Sequence, residues 1–148
     1  MGVIFISQLK LIIDNDVLEK YFGYYFDKYP KRKKKPIDSP LHPSINKWMI
    51  MKRPQMNDVK QKYKEFITWF VEDQGHSNKK IQECSMTFVS YFKTKARRDL
   101  DNTVPKFMLD GLIESGLIVD DDYFHLKSLT LEGRYDKERP RTEIHIFY

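Results

Sequence analysis

Apolar residues recur three and four positions apart from Val59 to Val71 (Val59, Tyr63, Phe66, Ile67, Phe70, Val71), a helical stripe that Asn57 can cap and Gly75 can stop. The spacing predicts a helix from Asn57 to Gly75. From Ile81 to Phe92 the period changes to two: Cys84, Met86, Phe88 and Phe92 alternate with Glu83, Ser85 and Thr87, uninterrupted by Gly or Pro, which predicts a long strand. A second helical face (Val104, Phe107, Met108, Leu112, Ser115) follows Thr103 as a cap and Pro105 in the first turn, and Gly116 ends it. Ile4 to Ile13, Phe124 to Leu131 and Thr142 to Tyr148 read as further strands, the last two as a hairpin with a long charged loop. The order strand, helix, strand, helix, strand, strand implies an α+β fold, a single domain over residues 1–148 with a mixed β-sheet and helices packed against it. Residues 1–40 look different: an apolar start, a Tyr and Phe cluster from Tyr21 to Phe26, then a basic run, together read as an extra N-terminal element.

Charge changes this picture through its placement. Lys and Arg number 26 against 21 Asp and Glu, and the run Lys31, Arg32, Lys33, Lys34, Lys35 equals the whole net charge of +5. Adjacent like charges repel and cannot be buried together, so this run is an exposed loop, which Pro36, Pro40 and Pro43 continue in extended form. No apolar run approaches the ~18 residues of a membrane span, and Met1 to Ile6 lacks a signal-peptide pattern; no membrane association and a cytoplasmic location are expected. One cysteine, Cys84, leaves no internal disulfide and no cysteine-based zinc site, so any metal chemistry would use oxygen ligands. His42, His76, His125 and His145 have no metal-motif spacing and read as surface or hydrogen-bonded residues; Trp48 and Trp69 read as core or subunit-contact residues.

The densest set of chemical groups begins at the end of the long strand. Lys93, Lys95, Arg97 and Arg98 are followed at once by Asp99, Leu100, Asp101 and Asn102, then Lys106 and Asp110, then Asp120, Asp121 and Asp122. If Asp99 and Asp101 are extended, a spacing of two sets both carboxylates on one side of the chain. A helix of about twelve residues spans ~18 Å, and a return after Gly116 could bring the second acidic cluster beside its start. Several carboxylates in one cleft suit a hard ion such as Mg²⁺ or Mn²⁺, while the bases would hold a polyanion. Taken singly, an Asp before a helix reads as a cap and an Asp triplet as a solvated turn.

The segment Arg98-Asp99-Leu100-Asp101-Asn102 with Lys106, Asp110, Gly116 and Asp120-Asp121 resembles the signature of the RusA-type Holliday junction resolvases, and Pro43-Ser44-Ile45-Asn46 looks like that family's Pro-Ser-Asn element. The similarity runs from about Pro43 to the C-terminus, with one residue more between Asp101 and Lys106 than in the family pattern. It implies that Asp99, Asp101 and Asp121 are the catalytic, metal-binding carboxylates, with Asp120 or Asp122 as substitutes in the triplet, and that Lys106 is the catalytic-site lysine. It further implies a RusA-like homodimer that binds four-way junction DNA and makes paired symmetric nicks with Mg²⁺, or Mn²⁺ in its place. Lys93, Lys95, Arg97, Arg98 and the run Lys31 to Lys35 are the expected DNA-backbone contacts. Two other readings stay open: a metal-dependent nuclease for other branched DNA or RNA, and a non-catalytic nucleic-acid-binding module with structural acids.

Overall fold

Residues 4–148 are described by a computed structural model. Along the chain run β1 (Gln8–Asp14), α1 (Asn15–Lys28), α2 (Ile45–Trp48), α3 (Arg53–Asp73), β2 (Cys84–Phe92), a 3₁₀ turn (Leu100–Thr103), α4 (Lys106–Glu114), β3 (Leu126–Tyr135) and β4 (Arg141–Phe147). The architecture is α+β, with one mixed four-stranded sheet in the order β1-β4-β2-β3. β4 is antiparallel to both β1 and β2, and β2 is parallel to β3.

Alternation in the strands decides where the helices pack. Leu11 and Ile13 of β1, Ile144 and Ile146 of β4, and Cys84, Met86 and Phe88 of β2 join one buried cluster with Leu18, Tyr21, Phe22 and Tyr25 of α1, with Tyr63, Phe66, Ile67, Phe70 and Val71 of α3, and with Phe107, Met108 and Leu112 of α4. The residues between them, including Lys10, Glu143 and His145, share another face and pair through charge. Glu143, 3% exposed, accepts from Arg141 Nε at 2.7 Å and lies 3.3 Å from Lys10 Nζ. Burial works against its charge, but these cations and His145 hold the carboxyl at about 2. Burial also pushes the Cys84 thiol up to about 11, which leaves it an inert core residue.

Several boundaries differ from the expected ones for local physical reasons. β1 starts at Gln8; Ile4 and Ile6 are exposed, and Val3 lies outside the described residues. The Tyr21 to Phe26 cluster is helical: Asp14 accepts from Val17 N at 2.9 Å as the N-cap of α1, and Leu18, Tyr21, Phe22 and Tyr25 form its buried stripe. α3 starts at Arg53 with Pro54 in its first turn, so Asn57 is inside the helix; Gly75 stops it at φ +80°. Ile81 stands outside β2 and bridges Ile118. Thr103 does not cap α4: its hydroxyl donates to Leu100 O at 2.6 Å, closing the 3₁₀ turn. The expected hairpin is absent, because β2 lies between β3 and β4 and the connection after Tyr135 passes the end of β2, where Asp136 N donates to Phe92 O.

The start of α4 is capped by a distant histidine. His42 Nε2 accepts from Phe107 N at 2.9 Å while Nδ1 donates to Pro43 O at 2.8 Å, so the ring must be neutral. Burial between Tyr63 and Phe107 lowers its pKa to about 4. The unfolded chain protonates His42 near 6.5 and the folded chain only near 4, so the unfolded state binds more protons in between and stability falls as pH drops through that window. Urea titrations should show wild type losing roughly 2 kcal/mol more than His42→Gln between pH 6.5 and 4.5. Equal losses would mean that this ring does not set the pH response.

Candidate active site

The acidic residues after β2 sit on a turn pinned from two sides. Leu100 packs over Gly133, where an added Cβ would come within 3.0 Å of Leu100 Cδ2, and Asn102 Oδ1 accepts from Asn46 N at 3.1 Å. The Pro-Ser-Ile-Asn stretch near α2 therefore meets the Asp-Leu-Asp-Asn stretch, 56 residues along the chain. Asp99 keeps extended backbone (φ −87°, ψ 129°), whereas Asp101 is already inside the 3₁₀ turn, so the two are not successive residues on one side of an extended chain. Both are exposed, and Asp99 lies 3.7 Å from Arg97.

One turn into α4 the second group assembles. Lys106 Nζ is 3.3 Å from Asp110 Oδ1, the i,i+4 spacing that stacks side chains on one helix face. The chain returns after Gly116, at φ +78°, and sets Asp121 within the electrostatic reach of this pair. Burial and the adjacent Asp120 carboxylate hold the Asp121 carboxyl above the usual range; Lys106 opposes them and Asp110 adds to them. Asp120 Oδ1 also accepts from Asp121 N at 2.7 Å.

Asp122 belongs to a different local set. Its Oδ1 accepts from Phe124 N at 3.0 Å and His125 N at 3.2 Å, and lies 2.7 Å from His125 Nδ1. The His125 contact keeps its carboxyl below the usual range. Among the described residues, Asp120, Asp122 and His125 form the one group of three or more possible ligands whose ligand atoms lie within 4.8 Å of one another. Asp99, Asp101 and Asp121 thus do not make a trio of that tightness, while His125, read from sequence as an ordinary histidine, stands beside the acids. Its position three residues after Asp122 was the available signal.

The bases divide into free and committed cations. Arg98 spends its guanidinium on its own loop, donating to Thr94 O, Ala96 O and Thr94 Oγ1, and stacks over Phe92 at 4.5 Å. Lys93, Lys95 and Arg97 are exposed, though Lys95 lies 5.0 Å over the Tyr135 ring and Arg97 is the cation beside Asp99. With Arg98 and Arg134, Lys95 borders a groove of about 400 Å³ next to the 3₁₀ turn. In the N-terminal run, Arg32 lies 3.8 Å over the Tyr29 ring and donates to Tyr25 OH, and Lys35 lies over Phe22, while Lys31, Lys33 and Lys34 face solvent. A larger groove of about 680 Å³ lies between α1 and α3, but Glu65, Glu72, Asp73 and Glu114 on its rim would repel a polyanion, and none of the candidate acids reaches it.

The acids and bases of this geometry fall within one match: residues 19–147 fit the model of the family described as Endodeoxyribonuclease RusA. The chain belongs to the RusA endodeoxyribonuclease family. No curated protein matches it. A RusA-family chain is a DNA-binding endonuclease of the Holliday junction resolvase class, which acts in recombination. Its family match begins inside α1, and β1 is hydrogen-bonded to β4, so the segment that looked separate in sequence contributes an edge strand and a core helix. Among the described residues no helix is long and apolar enough to cross a membrane.

The donor chemistry suits a divalent cation. Asp120, Asp122 and His125 offer two carboxylates and a ring nitrogen within 4.8 Å of one another, and the Asp121 carboxyl adjoins Asp120, a crowding of acids that a divalent ion relieves.

Proposed function

We propose that this RusA-family chain resolves four-way DNA junctions by Mg²⁺-dependent phosphodiester hydrolysis, acting as a homodimer that makes one nick per subunit. The observation that carries the proposal is the approach of Asp121 to the Lys106–Asp110 pair, with Asp120 beside it, inside a family match that spans residues 19–147. Asp99, Asp101 and Asp121 would hold the ion, with Asp120 or Asp122 sharing the second cluster's part. When bound, such an ion polarises the scissile phosphate and lowers the pKa of a water.

The remaining steps belong to the chain's own groups. Lys106 Nζ donates to a phosphate oxygen as negative charge builds during in-line attack, and Asp110 orients that side chain. Lys93, Lys95 and Arg97, and the exposed lysines of the N-terminal run, bind the DNA backbone without reading sequence. Arg98 contributes mainly by shaping the 93–98 loop that presents them.

Purified protein is to be incubated with a labelled four-way junction and a matched linear duplex, with and without Mg²⁺. Paired nicks on the junction alone, and only with the ion, are expected. Tight binding with no cutting under any divalent ion would replace this reading by a binding module, and equal cutting of the linear duplex would remove the junction specificity.

A further inference from the structure

Two aromatic rings stand in solvent beside the second acidic cluster, and nothing in the fold accounts for them. Tyr123 is 76% exposed and Phe124 59%, and their centroids lie 4.2 Å apart with the planes at 30°. They lie against each other in a tilted pair and take no part in the buried core. Exposed aromatic pairs are costly in water, since each ring leaves apolar area hydrated that burial would remove.

Their turn is held firmly. Asp122 Oδ1 takes the backbone N–H groups of both Phe124 and His125, and Asp122 O takes those of His125 and Leu126, the first residue of β3. The carboxylate that stands with Asp120 and His125 is therefore the same group that fixes the rings, and the first ring is on the next residue, one Cα step of ~3.8 Å away. A planar partner seated on the rings would lie next to a phosphate held at the acids.

We propose that Tyr123 and Phe124 form a stacking platform for an unstacked base at the branch point of the DNA substrate. The proposal rests on the junction-cutting reading above. A base is the occupant that fits: a π face matches a π face whatever the nucleotide, and a junction departs from a linear duplex in having bases at its crossing whose stacking is interrupted. Stacking on rings fixed in advance costs little ordering, so binding energy goes into choosing the branched structure and aligning the nucleotide beside the cut.

The test uses a junction carrying 2-aminopurine at the branch point, and the same strand in a linear duplex, both without divalent metal so that neither is cut. Wild type should change the branch-point emission; Tyr123→Ala/Phe124→Ala should not, and should bind the junction roughly 5- to 100-fold more weakly per stacked base, with linear-duplex affinity unchanged. Tyr123→Phe/Phe124→Tyr keeps both rings and should behave as wild type. Unchanged junction affinity and emission in the double alanine variant would overturn the platform while leaving the proposed function intact. Conversion of a dimer to a monomer by the alanine variant, read by sedimentation, would also overturn it, since the rings would then be a subunit contact. Wild type that neither prefers nor cuts a junction would remove the function and the platform together.

Discussion

Asp101→Asn is expected to lower the single-turnover rate of junction cleavage by about a thousand-fold or more while a gel shift of the same junction stays within about two-fold. Asn keeps the size of Asp and removes its charge, so an effect of this size reads the carboxylate itself. The turn should keep its shape: Leu100 over Gly133, Asn102 with Asn46, and Thr103 with Leu100 O hold it without help from Asp101. Binding should persist because the cations that grip the backbone lie in the 93–98 loop and the N-terminal run. A folded Asp101→Asn protein that no longer binds the junction would assign Asp101 to DNA positioning instead. The matching series at Asp120, Asp121 and Asp122 sorts the triplet, since the member whose Asn variant loses as much as Asp101→Asn is the ligand.

Gly111→Ala should destabilise the protein by about 3 kcal/mol or more, seen as a Tm drop of roughly 6 to 12 °C. In an ordinary exposed helix the same change would be stabilising. Here α4 crosses α3 so closely that a Cβ at 111 would lie 2.5 Å from Ile67 Cβ and 2.7 Å from its Cγ1. Because the obstacle includes a Cβ, truncating Ile67 to Ala should not restore stability in full; the helices have to separate. That separation moves α4, and Lys106 and Asp110 with it, so cleavage should fall even at temperatures where the variant remains folded. A Gly111→Ala protein with wild-type Tm and rate would show that the α3–α4 contact yields freely.

Elements whose pattern is local were legible from the sequence. α3 repeats its apolar residues at three and four and meets Gly75, so its existence needed nothing beyond the chain itself. α1 has the same periodicity in Leu18, Tyr21, Phe22 and Tyr25, but the interleaved Tyr24 and Phe26 and the internal Gly23 hid it, because aromatic residues between stripe positions blur a helical period into a plain apolar cluster. In β4 the alternation of Ile144 and Ile146 told which side faces the core and not which strands lie alongside, so a sequence-adjacent hairpin was the natural expectation and a wrong one. Within the site, the Lys106–Asp110 pair could be read from helical spacing, whereas the tie between Asn46 and Asn102 and the capping of α4 by His42 depend on loops that meet only in the folded chain.

The placement of β4 also orders the making of the protein. It follows every other element of the domain along the chain, yet it lies between β1 and β2, and Ser7 and Tyr148 exchange both backbone hydrogen bonds at its far end. During synthesis β1 has no neighbouring strand to join until β4 emerges, and the apolar undersides of α1 and α3 wait with it. Pairing β1 with β4 is among the longest loop closures the chain can make, so it carries a high entropic cost and is expected late in folding. A chain in which β4 has not yet paired leaves the facing edges of β1 and β2 open to addition of another chain's strand.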